Sequence, residues 1–219
     1  MRHRLTAILS AALLLGVVAC GGSDGGDDAV ALSYEQYFAS FLVDYEPAKD
    51  RADLAARSVA VVEAILVDVI DGPVFGSSAT DPAASRFAVF VFESAATAQP
   101  LAVRLPRPNT SDIAAIRGAM PIGERAVLYL IEVPPIPDSE KALWHGVDGT
   151  KQWEPTTPQG FVLGRRAPDG SHVVADLPID GGHGSLADAP DADSDVSDWL
   201  PPGGQIVPEG IGATEAATG

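Results

Sequence analysis

Apolar positions along the chain change period several times, and each change predicts an element. Tyr34, Tyr37, Phe38, Phe41, Leu42 and Tyr45 follow helical spacing and form one apolar stripe, so a helix is expected that docks this stripe on the domain. Ser33, with Gln36 three residues on, supplies a capping box, and Pro47 ends the element. Residues 50–57 read as a second short helix with Leu54 facing inward. From Val59 to Ile70 the residues Val59, Val61, Val62, Ile65, Leu66, Val67, Val69 and Ile70 leave both faces largely apolar. This predicts a strand buried on both sides or curled into a barrel, broken at Asp71-Gly72-Pro73. After a loop to Ala84, strands are expected over 86–93 and 101–105. Ser111 or Asp112 caps a helix through Met120, with Ile113, Ile116 and Met120 on one side. A fourth strand is expected over 125–133. A long insertion, 134–160, follows, and residues 161–163 and 173–177 read as a closing hairpin around Pro168-Asp169-Gly170.

The resulting order, β-β-β-α-β-β, with the helix between the third and fourth of five strands, resembles the OB-fold, a small five-stranded Greek-key barrel, over residues 58–177. The alternative is a small β-sandwich with one helix. The element order is also similar to netrin-like and metalloprotease-inhibitor domains, which depend on cysteines; no cysteine follows Cys20 here.

The first twenty residues carry a different message. A basic start, Arg2-His3-Arg4, precedes an apolar run from Leu5 to Ala19, a pattern of export signals and too short to span a bilayer. Val17-Val18-Ala19-Cys20 resembles the lipobox of bacterial lipoproteins, and the layout is similar to exported lipoproteins with an OB-like domain. The resemblance implies cleavage after residue 19, a diacylglyceryl group on the Cys20 thiol, and acylation such as palmitate on the new amino terminus. An ordinary secretory signal is the alternative, but it leaves an unpaired thiol at the terminus of a secreted protein. Two acyl chains anchor stably where one holds only marginally. The expected organisation is a signal peptide (1–19), a Gly/Asp-rich flexible tether (20–32), helices packing on the domain (33–57), the barrel (58–177) and a mostly disordered acidic tail (178–219). The implied location is the extracytoplasmic face of the cell membrane.

Charge narrows the partners. The chain carries 14 basic and 30 acidic residues, net −16; loss of Arg2 and Arg4 with the signal leaves 12 basic residues and a net charge of −18. Such a chain repels nucleic acid and anionic lipid, so an acyl chain and not electrostatics must hold it to a membrane. No lysine or arginine follows Arg166. The expected partner besides the membrane is an extracytoplasmic protein or glycan.

Candidate chemistry concentrates in the insertion, because loops of that length are usually functional or disordered. Trp144, His145 and Trp153, with Lys151, form either a stacking surface for a sugar or peptide, or a lid whose tryptophans close one barrel end. Arg104 and Arg107 border the third strand and either grip a phosphate or carboxylate or lie as solvated arms. Asp191, Asp193, Asp195 and Asp198 alternate as Ca²⁺ ligands do, but Val196 stands where an EF-hand needs Gly and no Glu closes the loop, so a solvated acidic tail competes with a metal site. Trp199-Leu200-Pro201-Pro202 docks on the domain or on a partner. The chain has no Gly-x-Ser-x-Gly, His-Glu-x-x-His, phosphate loop or thiol nucleophile, and no cofactor is expected. The reading is a non-catalytic, lipid-anchored binding module; the alternative is a cell-envelope hydrolase or carbohydrate-acting enzyme using carboxylates near residues 134–160.

Overall fold

A computed structural model describes Tyr37 and residues 46–97, 99–108, 111–147, 149–166, 172–174, 186–191 and 193–208. The signal, the lipobox, the tether and the rest of the tyrosine-rich stripe lie outside the described residues. Among the described residues the fold is mainly β, with two helices described over their full range, α1 (Arg51–Arg57) and α2 (Ile113–Ala119). The strands are β1 (Ala60–Phe75), β2 (Ser85–Glu93), β3 (Leu101–Arg107), β4 (Arg125–Glu132), β5 (Trp144–His145), β6 (Gln152–Pro155), β7 (Phe161–Arg166) and β8 (His172–Val174). Asp50 and Asp112 cap the helices by accepting from Asp53 N and Ala115 N. Among the described residues no helix is long and apolar enough to cross a membrane.

Seven strands share one mixed sheet in the order β5-β1-β2-β3-β6-β4-β7, and β8 extends it by pairing with β7. A further β1–β4 ladder closes β1-β2-β3-β6-β4 into a ring. The closure depends on β1. Its first half, Ala60 to Ile65, pairs antiparallel with β4, and its second half, from Ile65 to Phe75, pairs with β2. Between Leu66 and Asp68 the register shifts, so the inward set runs Ala60, Val62, Ala64, Leu66 and then Val69. A bulge of this kind bends a strand and lets one element serve both sides of a ring.

The strand does not stop at Asp71-Gly72-Pro73, as the turn residues suggested; it continues to Phe75 through a second register shift between Asp71 and Val74. An irregular register tolerates the missing Pro73 N–H. Gly72 lies so close to β2 that a Cβ there would sit 2.8 Å from Phe87 O.

The ring interior is filled by alternate residues: Ala88, Phe90 and Phe92 of β2, Leu101, Val103 and Leu105 of β3, and Ala126, Leu128 and Leu130 of β4. Ile116 and Met120 of α2 join them. So does Tyr37, fully buried, its ring 5.8 Å from Phe90 and its hydroxyl donating to Pro106 O at 2.9 Å. One residue of the predicted stripe therefore docks on the domain as expected.

Two expectations need correction. The insertion is not one loop: it holds β5 and β6, and β6 rather than the 161–177 hairpin closes the ring, parallel to β3 and antiparallel to β4. β7 follows on the same edge of β4, with β8 beside it, so the hairpin exists but does not itself close the ring, although Phe161 and Leu163 of β7 pack into the same inner core. Within the acidic tail, expected to be mostly disordered, residues 186–191 and 193–208 are also placed on the domain. Leu186, Val196 and Trp199 are buried with Leu54 of α1 against Val61, Val127, Tyr129 and Val162, a second core on the outer face of the ring. Ile206 and Val61 exchange backbone hydrogen bonds of 2.7 and 2.8 Å along the edge of β1. The outer apolar positions of β1 thus have a cover that composition alone conceals, although Ile65 and Ile70 stay exposed.

Candidate ligand cleft

Three segments meet around a cleft of about 730 Å³: the far end of β1 at Pro73, the outer face of β3 at Arg104, and the insertion from Glu132 to Gln152. The sheet register explains the floor. In β3 Leu101, Val103 and Leu105 point into the ring, so Ala102, Arg104 and Pro106 point out. Phe87 of β2 also lies on the outer face, out of phase with Ala88, Phe90 and Phe92.

β5 lays the insertion over this face. Val74 pairs with His145 and Phe75 with Trp144. Gly76 N donates to Leu143 O at 2.9 Å, and the His145 ring, through Nε2, reaches Gly76 O at 3.1 Å. Trp144 then stacks on Phe87 with ring centroids 5.7 Å apart and leans on Phe75 at 5.1 Å. The guanidinium of Arg104 lies 4.6 Å from the Phe87 centroid and 5.0 Å from that of Trp144. Its Nε donates to Glu154 Oε1 at 2.9 Å, and Nη2 donates to the same oxygen. Glu154 stands one residue beyond Trp153, the partner of Val103 in the parallel ladder, so the ladder itself brings it to Arg104.

The sequence-predicted residues thus divide. Arg104 and Trp144 line the cleft, and His145 fastens its wall. Trp153 points the other way and is buried in the ring interior; the lid reading, in which tryptophan closes the barrel, describes it better than a stacking platform. Lys151 lies over its ring at 4.7 Å and reaches the cleft from there. Arg107 sits apart: Nη1 donates to Asp71 at 2.7 Å and the side chain packs near Tyr37, whose hydroxyl pKa is pushed up by burial, with the Arg107 charge opposing.

The aspartates of the tail are engaged otherwise than as a ligand set. Asp195 caps a 3₁₀ turn over Val196–Trp199 and accepts from Arg125 Nη1 at 3.0 Å. The Ser197 N–H and hydroxyl, aided by Arg125, outweigh burial and hold its carboxyl below the usual range. Among the described residues no group of three or more His, Cys, Asp or Glu is placed to hold a metal ion. Trp199 docks on the domain, its carbonyl accepting from Tyr129 at 2.6 Å.

Lys141 and Lys151 complete the cleft, each in an exposed ion pair, with Asp138 at 2.7 Å and Glu132 at 2.9 Å. They are two of only three lysines in the chain. Phe87 and Glu154 are the site residues that sequence reasoning missed. The signal for Phe87 was available: an aromatic out of phase with the inward residues of its strand.

No protein-family model, no curated protein and no solved structure matches the chain.

Proposed function

We propose that this chain is a lipid-anchored binding module of the extracytoplasmic face, an OB-like barrel that offers one cleft to a partner. The observation that carries the binding role is the cleft, about 730 Å³ in volume and walled by Pro73, Pro134, Pro135, Ile136 and Val147 around the charged group of Arg104. Apolar concavities of this size with a few convergent polar groups are the usual form of ligand sites. The closed order β1-β2-β3-β6-β4, the parallel β3–β6 pair and α2 between β3 and β4 support the OB reading over a sandwich. In that fold ligands lie on the outer face of the second and third strands, beside the loop after the fourth, which is where this cleft lies.

Anchoring rests on Val17-Val18-Ala19-Cys20. A diacylglyceryl group on Cys20 supplies two chains, enough to hold a protein of this negative charge at a membrane that repels it. A carboxylate hydrolase would need two acids facing across the cleft. Among the described lining residues Glu132 is the one carboxylate, and it is paired with Lys151, so binding is the better-supported role.

The test is photocrosslinking in intact cells with a probe at Val147 on the cleft rim and a control probe at Ile65 on the opposite part of β1, in the native chain and in the Cys20→Ser variant. A specific adduct from Val147 only is expected, together with loss of the Cys20→Ser variant from the membrane fraction. Equal adducts from both probes would sink the binding role; a Cys20→Ser variant that stays with the membrane would sink the anchor.

A further inference from the structure

We infer that the cleft recognises an acidic peptide segment, a carboxylate side chain flanked by apolar residues in extended conformation, with Arg104 as the group that reads the carboxylate. This deepens the proposed binding role and rests on it. Arg104 is built as a receptor and not as a solvated arm: its side chain is only 10% exposed, yet it lines the cleft. Glu154 takes Nε and Nη2, and the rings of Phe87 and Trp144 lie against the guanidinium plane. Glu154 thus engages one edge of the guanidinium, and in this inference the Nη1 donors are the ones that meet a ligand carboxylate in the cleft that Arg104 lines. A guanidinium fixed in this way has little rotamer entropy left to lose on binding, and its planar donors suit a carboxylate oxygen.

Charge around Arg104 is balanced by three ion pairs, which makes the cleft more hospitable to an anion than the rest of this acidic chain. In a chain of net −16 the cleft gathers Arg104, Lys141 and Lys151. The carboxylates that meet the lysines, Asp138 and Glu132, are 93% and 48% exposed, and such surface pairs are weak enough for a ligand carboxylate to replace them. The rest of the wall favours a peptide over a sugar. Both tryptophans that could carry a pyranose are engaged in packing, Trp153 in the core and Trp144 against Phe75 and Phe87. Trp144 still lines the cleft, but around it the apolar wall is proline and aliphatic surface, Pro73, Pro134, Pro135, Ile136 and Val147, suited to the apolar neighbours of the acid.

Titration of the full chain with acetyl-Val-Pro-Glu-Val-Pro-amide, its Gln analogue and trigalacturonate tests this directly. The Glu peptide is expected to bind about tenfold or more tightly than the Gln peptide, the fold-change of a hydrogen bond to a charged group. Arg104→Gln should abolish that preference. Because this change strands Glu154, the exposed pair Lys141→Glu/Lys151→Glu provides a second reading, and should weaken the Glu peptide by a larger factor than the Gln peptide, narrowing the preference between them. Equal binding of the two peptides, no saturable binding of either, tighter binding of trigalacturonate, or an unaltered affinity in the double charge reversal would each overturn the inference. A partner still captured through Val147 in those cases would leave the binding role standing and remove only the acidic peptide.

Discussion

Gln159 is fully buried, and its side-chain amide meets the backbone of Ala48 twice: Ala48 N donates to Oε1 at 2.7 Å and Nε2 donates to Ala48 O at 3.4 Å. One polar side chain in the 3₁₀ turn that precedes β7 thereby satisfies the backbone that leads into α1. Gln159→Leu keeps much of the volume but strands an N–H among apolar neighbours, so a loss of about 1–3 kcal/mol is expected. Urea denaturation would register it as a lower midpoint at unchanged slope; an unchanged midpoint would mean that water replaces the amide. The two tryptophans of the insertion give a sharper contrast. Trp153 fills the ring interior, and Trp153→Ala should cost about 3–5 kcal/mol. Trp144 is half-buried on the outer face, and its alanine variant should cost clearly less while altering the cleft. Equal losses in the same denaturation series would return Trp144 to a purely structural role.

Among the elements, those with a clear apolar period were legible in the sequence: β1, β2, β4 and both short helices fall within a few residues of their expected places, β1 excepted at its end. The element that closes the ring was not. Gln152-Trp153-Glu154-Pro155 is too short to show a period, contains a proline, and is held by partners far away in sequence, at Val103 and Leu130. The strap over 186–208 was hidden for another reason. Its acids and prolines outnumber the few apolar anchors, Leu186, Val196 and Trp199, and the backbone bridge at Ile206, which gain meaning only against the outer face of β1 and β4. Arg51 ties this strap to α1: its backbone N–H and Nε donate to Asp188 at 2.8 and 3.0 Å, and Nη1 donates to the carbonyls of Asp198 and Leu200. Burial alone would raise the Asp188 pKa, but the bonds from Arg51 outweigh it and the net direction is down. A carboxyl held low in the fold contributes stability above its unfolded pKa, near 4, that is lost as pH falls through the folded value. Pepsin cleavage within 186–208, taken at each pH relative to an unstructured peptide of the same sequence, should therefore be slower at pH 5 than below pH 4, and Arg51→Ala should lose this protection already at pH 5. A wild-type relative rate that does not change across this range would show that the apolar anchors alone hold the strap.

The molecule as a whole carries far more acid than its ion pairs can neutralise, 30 acidic residues against 14 basic ones. Two effects of salt compete. Screening weakens the ion pairs, but most are at least partly exposed on one side or both and are worth about 0–1 kcal/mol each. Screening also relieves the mutual repulsion of the excess acids, which acts on the folded state more than on the expanded chain. With a surplus of sixteen negative charges the second effect should win, so the melting temperature is expected to rise between 20 mM and 500 mM NaCl. The same experiment tests the aspartates at 191, 193, 195 and 198. Asp195 is already held by Arg125 and Ser197, and a diffuse acidic surface does not distinguish cations of one valence by size. Ca²⁺ and Mg²⁺ at equal millimolar concentration should therefore raise the melting temperature alike. A larger shift with Ca²⁺, abolished by Asp193→Asn, would mean that the tail rearranges around a specific ion, releasing Arg125 as it does so. A fall in melting temperature with NaCl would show instead that the ion pairs joining the strap to the ring are worth more than surface pairs usually are.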